Sequence, residues 1–111
     1  MQKELTPPIA EAAQTPPQVV DIGTLATQIA EEHHLNVDHF KTVVNCESQW
    51  NITAVGDGGL AHGLVQIRSD YHPDVTIQEA DDPTFALEFM ANAWENGQQS
   101  QWSCWRMNFG T

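Results

Sequence analysis

The chain has 111 residues with a hydrophobic fraction of 41%, which fits one small domain, and no apolar run approaches a membrane span. Its formal net charge is -11, and its lysines and arginines are Lys3, Lys41, Arg68 and Arg106. That balance excludes the basic footprint of a nucleic-acid binder and repels anionic lipids and wall polymers, so a bound polymer would be held by hydrogen bonds and stacking.

Residues 1–20 read as a tail or linker, because Pro7, Pro8, Pro16 and Pro17 sit among Gln, Glu, Thr and Ala and forbid a long helix or a core. The stretch lacks the basic start and apolar segment of a leader, so export would need a leader removed upstream or another route. The domain is expected over residues 21–111. A first helix is predicted from Thr24, as N-cap, to His34, with Leu25, Ala26, Ile29 and Ala30 on its apolar face. Asn36 caps a second, Val37 to Glu47, with Val37, Phe40, Val43 and Val44 inward. Glu47 falls on that same side, at the edge of the core.

Residues 49–75 carry Gly56, Gly58, Gly59 and Gly63 and little helical periodicity. They read as an irregular lobe with a short hairpin around Gly58-Gly59, and Leu64, Val65 and Ile67 return to the core. Tyr71-His72-Pro73 is a turn, and Thr76 to Ala80 a single helical turn. Asp82 with Pro83 starts a helix that runs to about Asn96, lined inside by Ala86, Phe89 or Met90, Ala93 and Trp94, and stopped by Gly97. A last short helix or turn over Gln99 to Met107 carries Trp102, Cys104 and Trp105. The fold class is mainly α, a small α+β domain.

Cys46 and Cys104 are the two cysteines. An even count permits one disulfide, which would stabilise by about 4 kcal/mol on the chain-entropy model and imply an oxidising compartment. The five histidines show no zinc-ligand spacing, so neither a metal nor a cofactor is expected. Cys46 at a helix C-terminus is poorly placed for a thiolate nucleophile.

Glu47 is the chemical centre of this reading. A carboxyl group at the negative pole of a helix, beside apolar groups, keeps its proton longer than a free glutamate. A general acid that cleaves a glycosidic bond has that requirement. The surrounding sequence is Cys46-Glu47-Ser48-Gln49-Trp50, then Gly56-Asp57-Gly58-Gly59-Leu60-Ala61-His62-Gly63-Leu64-Val65-Gln66-Ile67. A Glu-Ser pair ending a helix, a glycine turn and Gly-Leu-x-Gln-Ile resemble the lysozyme-like lytic transglycosylases and goose-type lysozymes. The resemblance spans Leu25 to Trp105, and its specific part is residues 46–67.

The resemblance implies a lysozyme-like fold that cuts the β-1,4 bond between N-acetylmuramic acid and N-acetylglucosamine in peptidoglycan glycan strands. It implies that Glu47 is the catalytic acid, Ser48 orients the acid or the sugar, and Gln66 lines the cleft. Asp57 corresponds to an active-site aspartate of the goose-type lysozymes. A second aspartate of that family would fall near Arg68, with Asp70 close by. The family's late Tyr-Asn motif is missing, and Trp102, Trp105 and Asn108 occupy that end. His62, in a solvated loop, and Trp50 or Trp102 are candidate substrate contacts, whereas Trp94 reads as core. With Asp57 as the one aligned helper, a transglycosylase forming 1,6-anhydromuramyl ends is favoured over a hydrolytic muramidase. A non-catalytic wall-binding module and an interaction domain in a secretion or conjugation machine are the other readings. A monomer is expected, secreted, periplasmic or virion-associated.

Overall fold

Side-chain caps decide where the helices begin. The structure, a computed structural model, describes residues 21–110; the tail expected over residues 1–20 lies outside them. Helix α1 (Ile22–Glu32) starts at Asp21, whose carboxylate accepts from the Thr24 N–H at 3.1 Å. The cap is thus Asp21 and not Thr24, because an aspartate satisfies an orphan N–H three residues on. This helix also ends before the expected His34, which takes a left-handed φ of 58°.

Helix α2 (Val37–Ser48) follows the expected Asn36 cap, which accepts from the His39 N–H at 3.0 Å. Helix α3 (Ile77–Asp81) opens with a reciprocal capping box between Thr76 and Glu79, both bonds 3.0 Å long. Helix α4 (Pro83–Glu95) starts as its sequence indicates, with Asp82 accepting from Phe85 N–H at 2.9 Å and Pro83 where no N–H is needed. Gly97 at φ 77° turns the chain away after it. A 3₁₀ turn (Gln99–Gln101) leads to helix α5 (Ser103–Asn108).

Between α2 and α3 the lobe holds three antiparallel strands, β1 (Val55–Gly56), β2 (Ala61–His62) and β3 (Ile67–Arg68), in the order β1-β2-β3. Val55 pairs with His62 and Ala61 with Arg68. The β1–β2 turn runs through Asp57, Gly58 and Gly59, all at positive φ. Strands this short do not stand alone. They are held because Leu64 and Val65, just after β2, are completely buried. Gly63 makes that insertion possible: its φ is 84°, and a Cβ there would overlap the Ala80 carbonyl oxygen at the end of α3.

The domain is therefore mainly helical with a small three-stranded antiparallel sheet, as the sequence indicates. α1 packs on α2 and α4, and α2 on α5. Phe40 meets Trp94 edge-on at 5.4 Å between centroids. On α4, Met90 and not Phe89 is the fully buried member of the expected pair. Among the described residues no helix is long and apolar enough to cross a membrane.

His33, at the C-terminal end of α1, links that helix to α4. Its Nδ1 lies 2.6 Å from Glu95 and its Nε2 2.7 Å from Glu88. Two carboxylates bonded to both ring nitrogens favour the imidazolium, and the hydrogen bonds to Glu95 and then Glu88 raise the His33 pKa above 6.5. A raised folded pKa means the stabilisation is complete below the unfolded pKa and is lost as pH rises through the folded value. Thermal melts of wild type and His33→Gln should therefore differ most below the ordinary histidine pKa of about 6.5, and the wild type should lose its advantage as pH rises above it. Gly63→Ala, which adds both a strained φ and a steric overlap, should destabilise by about 2 kcal/mol or more in urea denaturation.

Candidate functional site

The last turn of α2 decides where the carboxyl group of Glu47 stands. Phe40, Val43 and Val44 are completely buried, and Glu47 follows them on the helical repeat, half-buried at the core's edge. There it faces a cleft of about 600 Å³ between the helices and the lobe. Asp57 enters from the hairpin turn, Gln66, Ile67 and Arg68 from β3 and its approach, and Phe89 from α4. Gln101 to Ser103 and Arg106 close the far side.

Several influences set the proton affinity of Glu47. Burial is the largest and raises its pKa, and the negative charge of Asp57 raises it further. The Cys104 N–H, which donates to Oε2 at 3.2 Å, and the positive charge of Arg106 act in the opposite direction, and the net result is upward. The Cys104 bond has a second role. Trp102, at the N-cap of α5, makes no side-chain capping bond. Glu47 therefore satisfies an orphan N–H of α5 from another helix.

A disulfide joins Cys46 to Cys104, with their Cα atoms 6.0 Å apart. It ties α2 to α5 one residue from Glu47, and its buried half is Cys104. Trp102, only 6% exposed, lines the cleft and donates its indole N–H to the Val65 carbonyl at 2.8 Å. Phe89 packs edge-on between Trp102 and His72. The cleft thus has an aromatic wall beside the acid.

Gln66 lines the cleft and also fastens the lobe. Its amide donates to Ala54 and Gly63 carbonyls at 3.2 and 2.9 Å. Asp57 carries a left-handed φ of 51° and lies 3.4 Å from the Arg68 guanidinium. Arg68 is bound more tightly to Asp70, through two bonds of 2.8 and 2.7 Å, and stacks over Tyr71 at 4.6 Å. This bidentate pair holds the Asp70 pKa below its usual value, and Asp70 is outside the cleft lining.

The structure brings Glu47, Asp57, Gln66 and Trp102 together and leaves three other candidates apart. Ser48 is 8% exposed and its hydroxyl donates to the Val44 carbonyl at 3.1 Å, satisfied within its own helix. His62 is not in a solvated loop. It sits in the central strand, also 8% exposed, and the cleft lining does not include it. Trp50 follows Gln49 in a second left-handed conformation, φ 65°, and lines a shallow hollow with Asp21, Ile22, Gly23 and Lys41 instead.

Sequence reasoning missed Arg106, Phe89 and His72 as cleft residues and gave Arg68 no role there. The scarcity of cations was a usable signal, since Arg68 and Arg106 are two of the four lysines and arginines. Comparisons with protein-family models, curated proteins and solved structures return no match. The resemblance therefore stands on the residues alone.

Because the disulfide closes a 58-residue separation, replacing both Cys46 and Cys104 with alanine should cost about 4 kcal/mol of unfolding free energy in denaturant titrations. A variant as stable as wild type would show that the Trp102–Val65 bond and core contacts hold α5 by themselves.

Proposed function

We propose that the protein is a peptidoglycan-cleaving glycosidase acting on the β-1,4 bond between N-acetylmuramic acid and N-acetylglucosamine, as a lytic transglycosylase. The observation that carries this reading is Glu47, a half-buried carboxyl group with a raised pKa, facing a cleft of about 600 Å³ with an aromatic wall. A cleft of that size accommodates sugar rings.

Protonated Glu47 gives its proton to the glycosidic oxygen, the bond from that oxygen to the muramyl C1 breaks, and N-acetylglucosamine leaves with a free hydroxyl. The Glu47 carboxylate then removes the proton of the muramyl C6 hydroxyl. O6 bonds to C1, which closes the 1,6-anhydro ring, and Glu47 is again protonated. No water is consumed. The negative charge of Asp57 supports both steps: it favours the protonated acid at the start and stabilises the positive charge that develops at C1.

Asp57 also supports the second reading, a hydrolytic muramidase, since it lines the same cleft and a carboxylate opposite the acid can position water. The disulfide fits a secreted, periplasmic or virion-associated protein.

Mass spectrometry of fragments released from purified peptidoglycan tests the proposal. Anhydromuramyl ends are expected; reducing ends, one water heavier, would establish the hydrolase. Glu47→Gln should lower the rate about a hundredfold or more. The sign of the pH dependence follows from Glu47 acting first as an acid. Activity should fall as pH rises through its pKa, with the midpoint above that of an ordinary glutamate. Wall binding without any fragment would leave the binding module as the function.

A further inference from the structure

The cleft holds two cations of unequal availability. Arg68 is committed, with Asp70 on two of its nitrogens, Asp57 on a third and Tyr71 beneath its plane. Arg106 is different. It lines the cleft from α5, it is exposed, and among the described residues its guanidinium donates one hydrogen bond, to the Ser100 carbonyl. Among the described residues no carboxylate forms an ion pair with it. In a chain with 15 acidic residues against four lysines and arginines, a guanidinium at the rim of the Glu47 cleft that no carboxylate pairs with among the described residues stands out.

We propose that Arg106 is the carboxylate-recognition residue of this cleft and docks an anionic substituent of the glycan chain beside Glu47. The inference rests on the glycan-cleaving reading and extends it from the bond cut to the charge on the substrate. A planar guanidinium presents paired N–H donors that match a carboxylate, and such charge-assisted bonds are among the stronger polar contacts. The surface as a whole repels an anionic polymer, so the strand needs a local cation to enter in register.

Docking there also acts on the acid. Arg106 is one of the groups that favour the ionised form of Glu47. A carboxylate bound to Arg106 weakens that pull and favours the protonated form of Glu47 further when substrate is in place. The substrate thereby helps to protonate the acid that cleaves it.

Two carboxylates of the wall have this chemistry. One is the lactyl carboxylate of a muramyl residue stripped of its peptide, and the other belongs to the stem peptide, whose attachment converts the lactyl group to an amide. The test compares four substrates: peptide-free strands and peptide-bearing strands, each with carboxylates free or converted to methylamides. Fragment release by wild type should favour the free-carboxylate form of one strand type by about tenfold or more, the size of a charge-assisted bond. Which strand type shows the preference identifies the source. In Arg106→Gln the ratio of free to amidated rates should fall towards one, and Arg106→Lys should restore part of it.

A wild type that cuts amidated strands as fast as free ones overturns the proposal without any variant. An Arg106→Gln protein that keeps the wild-type ratio overturns it too. If wild type releases no fragments at all, the glycosidase reading fails instead. Calorimetric titration with the same four strands then decides the role of Arg106, since the preference must appear in binding and vanish in Arg106→Gln.

Discussion

The junction between the end of α2 and the start of α5 is the constraint on which the rest of the site depends. α5 spans Ser103–Asn108, too short to persist by itself in water, and its own N-cap residue, Trp102, makes no side-chain capping bond. Three contacts fix it: the Cys46–Cys104 disulfide, the Cys104 N–H on Glu47, and the Trp102 indole on the Val65 carbonyl. The first two come from adjacent residues of α2. The carboxyl group that faces the cleft is thus also part of what holds the cleft's far wall, and a structural bond restrains its orientation. That coupling has an electrostatic consequence, since the N–H that orients Glu47 also stabilises its ionised form. Burial outweighs this effect and leaves the group with a raised pKa.

The lobe is positioned by a second, weaker set of constraints. Its strands are too short to define their own position, so the segment Gly63-Leu64-Val65 does so by entering the core. Gly63 lies against the Ala80 backbone at the end of α3, and Gln66 bonds Ala54 and Gly63 across the turn. Asp57 inherits its place from these contacts. Its link to Arg68 at 3.4 Å is long and exposed, and contributes little to holding it. Glu47 is thus held by a backbone N–H and a cross-link one residue away, whereas the Asp57 carboxylate has a long, exposed ion pair.

Much of the fold could be read from local chemistry, for physical reasons that differ by element. Asn36, Thr76 and Asp82-Pro83 announce helix starts through bonds that span three residues, and the apolar repeats of α2 and α4 identify their inner faces. α1 was misplaced at its start because Asp21 and Thr24 are both competent caps, and the choice depends on where the helix packs. The cleft was only partly legible. Glu47, Asp57 and Gln66 lie within a single local pattern, and Trp102 offered an aromatic surface. Arg106, Phe89 and His72 come together only through tertiary packing. Ser48 and His62 show the converse: both sit inside the recognisable pattern, yet folding turns the first to its own helix and places the second in a buried strand.

Charge placement sharpens this picture. A net charge of -11 gives the surface a uniform sign, yet two of four lysines and arginines line the cleft. Arg68 is neutralised locally, which leaves its neighbourhood close to balanced and lets the charge of Asp57 act on Glu47 with only partial cancellation. Arg106, on the opposite wall, bonds the Ser100 carbonyl and has no carboxylate ion pair among the described residues. Glu47 therefore lies between a negative influence from the lobe and a positive one from α5, each affecting its proton in the opposite sense. An acid poised in this way responds to whatever neutralises either side. An anion arriving at α5 shifts it towards the protonated form, whereas a cation arriving at Asp57 shifts it towards the ionised form. The two walls thus act in opposite senses on a proton affinity that burial chiefly raises.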